Sequence, residues 1–146
     1  MCSSDLLQRG GGIVAVHSAV IPPKDPEALA QRIGLAWKHG RTQFRHGPMK
    51  LSPTAVRHPI TAGLQPIDLV DETYWPLVGE LNRVQVLATA DEGGKSWPML
   101  WTYQPGQGRV FCSIPGHYSS TFDDPVFRTL LLRGVAWAAQ IGRAHV

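Results

Sequence analysis

The segment Gly10-Gly11-Gly12, followed by Ile13-Val14-Ala15-Val16 and then His17, constrains this chain more than any other. The glycines permit a tight entry and close backbone approach. The four apolar residues after them read as a buried strand without a polar face, which is expected to be parallel and central in its sheet. Ligands in open α/β sheets bind at the carboxyl ends of the strands. His17 falls at such an end, followed by Ser18-Ala19. The order Gly-Ile-Val-Ala-Val-His-Ser-Ala has the shape of a nucleophile elbow, a strand running into a sharp turn, with histidine in the nucleophile's place. The alternative is a histidine that caps the strand and bonds to a loop.

Further elements follow along the chain. Asp25-Pro26-Glu27 opens a helix to about Ile33, with acidic residues suited to the first turn. Trp37 to Leu51 is rich in basic residues, lacks periodicity, and reads as a long loop. Thr54 to Arg57 reads as a brief strand stopped by His58-Pro59, and Ile67 to Tyr74 as a further extended piece. Asn82 to Ala90 alternates, with Val84, Val86 and Ala88 on one face. Asp91-Glu92-Gly93-Gly94 turns the chain into Pro98 to Tyr103, and Pro105-Gly106-Gln107-Gly108 turns it again into Arg109 to Ile114, a meander of three strands. Asp123-Asp124-Pro125 then caps a helix whose Phe127, Leu130, Leu131, Val135 and Ala138 recur at helical spacing. Its polar stripe is only Thr129, Arg133 and Gln140, so it is expected to be mostly buried. Strands with flanking helices predict an α/β three-layer sandwich.

Composition narrows the function classes. The length of 146 residues suits one domain, and 43% hydrophobic with 17% charged residues is globular. A net charge of +3, dispersed along the chain, does not point to nucleic acid. No run approaches the roughly 20 apolar residues of a membrane-spanning helix. The ends stand apart. Ile141 to Val146 can be encoded ATC GGA AGA GCA CAC GTC. Its reverse complement, read from GTG as initiator and followed by CT, gives Met-Cys-Ser-Ser-Asp-Leu, which is Met1 to Leu6. The string resembles a common sequencing-library adaptor. Residues 1–6 and 141–146 are therefore expected to be adaptor-derived tails around a domain over residues 7–140, an internal piece of a longer protein. Cys112 is then the one cysteine left.

Several residues could carry chemistry. His117, in Ile114-Pro115-Gly116-His117-Tyr118, again follows a strand and precedes the terminal helix, a place for an acid, base or ligand. Asp71 and Glu72 are adjacent on an extended segment, so at most one faces a given pocket, where it could orient a histidine or bind a sugar hydroxyl. Trp75 suits stacking on a sugar face. His39 and His46 lie in the expected loop, whose ordering would itself suggest function. Cys112, inside a strand, reads as a small buried thiol. No HExxH, CxxC, P-loop or GxGxxG occurs. A divalent metal held by His17, His117 and a carboxylate is chemically open, though no ligand spacing commends it.

Four segments together resemble a known family: Gly10 to Ala19; His58-Pro59-Ile60-Thr61-Ala62-Gly63-Leu64; Asp71-Glu72-Thr73-Tyr74; and Pro98 through Trp137 with its Gly106-Gln107-Gly108-Arg109-Val110-Phe111 and Gly116-His117. The chain resembles the trehalose-utilisation (ThuA-like) family over nearly all of Leu7 to Ala139. The resemblance implies a flavodoxin-like, class I glutamine amidotransferase-like fold with a mixed sheet, here lacking its first strand–helix units. In amidotransferases of that fold a cysteine occupies the elbow and a histidine follows a late strand. Here His17 holds the elbow and His117 falls near the late histidine, so the covalent route to glutamine hydrolysis is disfavoured. The family implies a role with trehalose or related glycosides, 3-keto glycosides among them. The expected machinery is His17 and His117 as acid/base or metal-binding groups oriented by Asp71 or Glu72, with His39, His46, Trp75 and Tyr118 binding substrate. The competing expectation is a sugar- or partner-binding module that keeps the amidotransferase-like shape without catalysis.

Overall fold

The computed structural model describes residues 3–140. Met1, Cys2 and residues 141–146 of the two expected tails lie outside them, and Ser3–Gln8 form a short helix, α1. Of the three glycines that follow, Gly10 turns the chain at φ +82°, and Gly11 and Gly12 serve close packing. A Cβ on Gly11 would lie 2.4 Å from the Leu6 side chain, and one on Gly12 would lie 2.2 Å from the Ala138 carbonyl oxygen. No larger residue fits beneath the neighbouring helix ends.

The strands β1 (Gly12–Val16), β3 (Gln43–Pro53), β4 (Ile67–Trp75), β6 (Val84–Glu92), β7 (Lys95–Tyr103) and β8 (Arg109–Ser113) form a six-stranded sheet in the order β1-β8-β7-β6-β3-β4. Leu35–Ala36 (β2) and Val78–Gly79 (β5) make a separate small pair. β1 runs parallel to β8 along its whole length, and every other pairing in the large sheet is antiparallel. The expected parallel strand is therefore present, but it is not central. Among the described residues it is an edge strand, and only Ala15 of it is fully buried. The centre belongs to the meander β6-β7-β8. Met99, Leu100 and Trp101 of β7 are 0% exposed, which requires cover on both faces.

That cover comes from two helices, α2 (Pro26–Ile33) and α3 (Pro125–Ala138). Successive side chains on β8 point to opposite faces. The Phe111 ring lies against Gly134 of α3, and the Cys112 thiol donates to the Ile33 carbonyl at the end of α2. The helices therefore sit on opposite faces, and the molecule is the expected three-layer α/β sandwich. Both helices start as the sequence predicts. Asp25 accepts a hydrogen bond from the Ala28 amide (2.9 Å), and Asp124 from that of Phe127 (2.8 Å). The buried stripe of α3 is narrower than its composition suggests, because one sheet face lies beneath it. Phe127, Leu130, Gly134 and Ala138 are buried, but Leu132 and Val135 are exposed.

Three other expectations are corrected. Residues 37–51 are not one long loop, since from Gln43 onward they form β3, paired residue for residue with β4 from Gln43↔Trp75 to Leu51↔Ile67. Gly47 and Pro48 interrupt any apolar alternation there, so the strand owes its existence to its partner's backbone. Thr54 to Arg57 is irregular rather than a strand: Thr54 donates its hydroxyl to the Val86 carbonyl (2.7 Å) and the chain then leaves the sheet. In β6 a register shift around Leu87 breaks the simple alternation of Val84, Val86 and Ala88, and leaves both Leu87 and Ala88 buried.

The β3–β4 ribbon touches β6 in register only at Ser52 and Pro53. Farther along, Arg45 Nε donates to both Glu92 carboxylate oxygens (2.9 and 3.1 Å), and the Thr73 hydroxyl donates to Oε1 (2.7 Å). This tie holds the ribbon to the end of β6. The sheet curls, and residues 71–74 of its last strand arrive beside the carboxyl ends of β1 and β8.

Candidate functional site

His17 is where the curl closes. It follows β1 directly, begins a 3-10 turn (His17–Val20), and has φ +55°, a left-handed conformation uncommon outside glycine. The strand-to-sharp-turn geometry expected of an elbow is thus present, with histidine at its apex. The ring Nδ1 lies 2.9 Å from the Ile114 carbonyl oxygen, which can only accept, so Nδ1 carries the proton. Nε2 is then left as a lone pair. In the neutral ring that atom accepts, lying 3.0 Å from His117 Nδ1 and 3.0 Å from the Tyr74 hydroxyl, while Glu72 Oε2, 3.4 Å away, pairs with the ring only when Nε2 carries a proton.

His117 is held by its own backbone. Asp71 is 0% exposed and its carboxylate accepts from the amides of Gly116 and His117 (each 3.1 Å) and of Glu72 (2.7 Å). The Thr121 hydroxyl also donates to it. The carboxylate thereby fixes the turn that presents His117, and Gly116 at φ +143° allows that turn to pass close to Val16 and His17. The neighbouring Glu72 does face the histidines, with Oε1 3.6 Å from His117 Nδ1. The two adjacent acids divide as strand geometry requires, one to the loop backbone and one to the imidazoles.

Tyr74 is the residue that the sequence reading passed over. Two positions beyond Glu72, it shares that residue's strand face. Its hydroxyl reaches Glu72 Oε2 at 2.8 Å as well as His17. Burial, and then the Glu72 carboxylate that it bonds, push the phenol pKa well up, so it stays protonated as a donor. The period of two along Asp71-Glu72-Thr73-Tyr74 puts it on the face of Glu72, but nothing local in the sequence pairs it with His17.

The expected substrate-binding residues separate. His46 and Tyr118 meet at the rim, with the tyrosine hydroxyl 3.0 Å from His46 Nδ1 and the Tyr118 ring edge-on to His117 at 4.6 Å. His39 is exposed and stacks edge-on against Trp37 (6.3 Å), which in turn contacts Tyr74 (4.9 Å). Trp75 lies one residue past Tyr74, so it points to the strand face opposite Glu72 and Tyr74, away from the histidines. Cys112 is fully buried and its thiol pKa is raised by burial, which suits packing and not nucleophilic attack. Among the described residues, His17, Glu72 and His117 are the group that could hold a metal, their donor atoms lying within 4.8 Å of one another.

The mixed α/β sandwich is a flavodoxin-like, class I glutamine amidotransferase-like fold, with histidine where the amidotransferases carry cysteine. A family model described as ThuA, trehalose utilisation, matches residues 3–138. The chain belongs to the ThuA family. Among solved structures it is similar to a ThuA-like protein from Parabacteroides merdae ATCC 43184, with TM-score 0.76 and 25% identity over 93% of this chain and 63% of that one. It is also similar to a ThuA-like protein from Bacteroides uniformis ATCC 8492, with TM-score 0.73 and 18% identity over 92% and 61% of the two chains. The cytoplasmic protein STM1381 from Salmonella typhimurium LT2 shares the fold, with TM-score 0.69 and 21% identity over 93% and 58%. The chain thus spans about three fifths of the length of these structures. No curated protein matches it.

Proposed function

We propose that the chain is the acid/base centre of a carbohydrate-processing protein, acting on trehalose-type or 3-keto glycosides. One observation carries the reading: two histidines from the carboxyl ends of two parallel strands meet at 3.0 Å and face the same carboxylate. A loop histidine with a purely structural task needs neither the strained backbone of His17 nor a second imidazole. In this reading His17 Nε2 and His117 move protons at a carbon next to a carbonyl or at the glycosidic oxygen. Glu72 stabilises whichever imidazole becomes charged, and Tyr74 holds the Glu72 carboxylate in place by donating its hydroxyl proton to Oε2. Asp71 is a positioning residue, acting through the turn of His117. His46 and Tyr118 at the rim contact the sugar.

The test is product formation, followed by NMR, from trehalose and 3-keto glycosides with and without added divalent metal. His17→Ala and His117→Ala should each lower turnover by about 100-fold or more, the usual scale for losing a general acid or base. Sugar binding without turnover, unchanged in both variants, would instead establish the non-catalytic recognition module.

A further inference from the structure

Around a triangle of side chains, His17 Nε2 lies 3.0 Å from His117 Nδ1 and 3.4 Å from Glu72 Oε2, and His117 Nδ1 lies 3.6 Å from the other oxygen, Glu72 Oε1. One donor atom from each residue falls within 4.8 Å of the other two. Ligands at ~2.0–2.1 Å around a tetrahedral zinc ion stand ~3.3 Å from one another, within the range of these edges. The Tyr74 hydroxyl, 2.8 Å from Glu72 Oε2 and 3.0 Å from His17 Nε2, bridges the edge between those two residues, and one proton bridges the edge between the two imidazoles. No hydrogen bond closes the edge from Glu72 to His117, which is too long for one. One cation serves all three edges at once.

The surroundings are those of metal ligands. The Ile114 carbonyl takes the Nδ1 proton of His17 and so fixes Nε2 as the free donor atom. The Tyr74 hydroxyl orients the Glu72 carboxylate, and Asp71 anchors the backbone that carries His117. The His117 side chain is 42% exposed, which leaves one side of the triangle open to solvent, whereas Glu72 is 11% exposed. Two neutral imidazoles and one carboxylate are the donor set of a catalytic zinc site, with three protein ligands and an open position.

We infer that His17 through Nε2, His117 through Nδ1 and Glu72 bind one divalent transition-metal ion of the zinc type. The ion's open side takes a carbonyl or hydroxyl oxygen of the substrate, a point that rests on the carbohydrate reading above. The metal itself does not. With the ion bound, His17 Nε2 and His117 Nδ1 serve as its ligands in place of moving protons. The chain, freed of metal by dialysis against chelator, is titrated with zinc by calorimetry, with bound metal counted by elemental analysis. Cobalt(II) serves as a spectroscopic probe. The expected result is one ion per chain and a tetrahedral cobalt absorption band. Glu72→Gln and His117→Gln should each weaken zinc binding by roughly 100-fold, with folding verified by circular dichroism, while Asp68→Asn, at a carboxylate 84% exposed and outside the site, leaves it unchanged. His117 is exposed enough that its replacement does not disturb the core. Substoichiometric uptake overturns the inference, as does zinc affinity that survives both ligand substitutions. Glycoside turnover retained by protein shown to be metal-free overturns the contact between ion and substrate and keeps the carbohydrate reading. Stoichiometric zinc without turnover supports the metal and removes that reading.

Discussion

His17 adopts a backbone conformation that costs an L-residue roughly 1–2 kcal/mol, and it keeps it at the point where two strand ends and a third strand converge. Replacement by glycine should relieve that strain while forfeiting the bond to Ile114. The stability of His17→Gly is therefore expected to stay within about 1 kcal/mol of the parent, although the site is lost. Urea unfolding beside the zinc titration checks this, and a loss well beyond that range would show that the residue serves the fold. Asp71 is the opposite case. Three amides and a hydroxyl converge on its buried carboxylate, so Asp71→Ala should cost about 3 kcal/mol or more, read as a lower urea midpoint. A near-neutral result would mean that the turn holds His117 without it. At this scale the sequence was informative where chemistry is local: a histidine after a strand, and two acids that must diverge. It was silent on Tyr74 because partnership with His17 spans 57 positions.

Among the elements, α3 was the most readable, since its cap, first-turn proline and apolar spacing are all short-range. What it meets was not readable. Gly134 packs where a Cβ would lie 2.1 Å from the Phe111 ring. Alanine gains about 1 kcal/mol in helix propensity over glycine, yet overpacking a filled core costs about 1–3 kcal/mol. Gly134→Ala should therefore lower the melting temperature, and a rise would mean that Phe111 can step aside. The strand β3 was the least readable element. Met49 and Leu51 alternate as buried residues only at its end, while Gln43 to Pro48 carry no periodic apolar signal, and the pairing with β4 supplies what those side chains do not.

The whole molecule depends on the ribbon's return across the sheet, and Glu92 in its tie to Arg45, together with His58 elsewhere in the fold, makes the molecule's stability sensitive to acid. The hydrogen bond from Arg45 holds the Glu92 carboxyl below its usual range, and Thr73 adds to this. A folded-state pKa below the unfolded one gives stability that is present above the ordinary carboxylate range and lost as pH falls through the folded value. Glu92→Gln should flatten that acid limb. At neutral pH it should cost only roughly 1 kcal/mol, because Arg45 is 40% exposed and its ion pair is screened. Burial, and then the charge of Arg109, lower the pKa of His58, whose Nδ1 accepts from the Ile60 amide (3.2 Å). The sign is the same: stability held by the neutral ring begins to fall below pH ~6.5, the ordinary histidine value. His58→Asn, which keeps an acceptor that does not titrate, should remove this earlier part of the decline in urea midpoints measured from pH 8 to pH 4. The sequence by itself determined the α/β class, the three-strand meander, both capped helices, the elbow and the two histidines, because each is written in neighbouring residues or in a short period. Only the tertiary structure decided that β1 lies at an edge, that residues 43–53 form a strand, and that Glu72 and Tyr74 stand beside His17. Those facts depend on long-range backbone pairing and on the curl set by Arg45 and Glu92, contacts whose partners lie tens of residues apart and leave no local pattern.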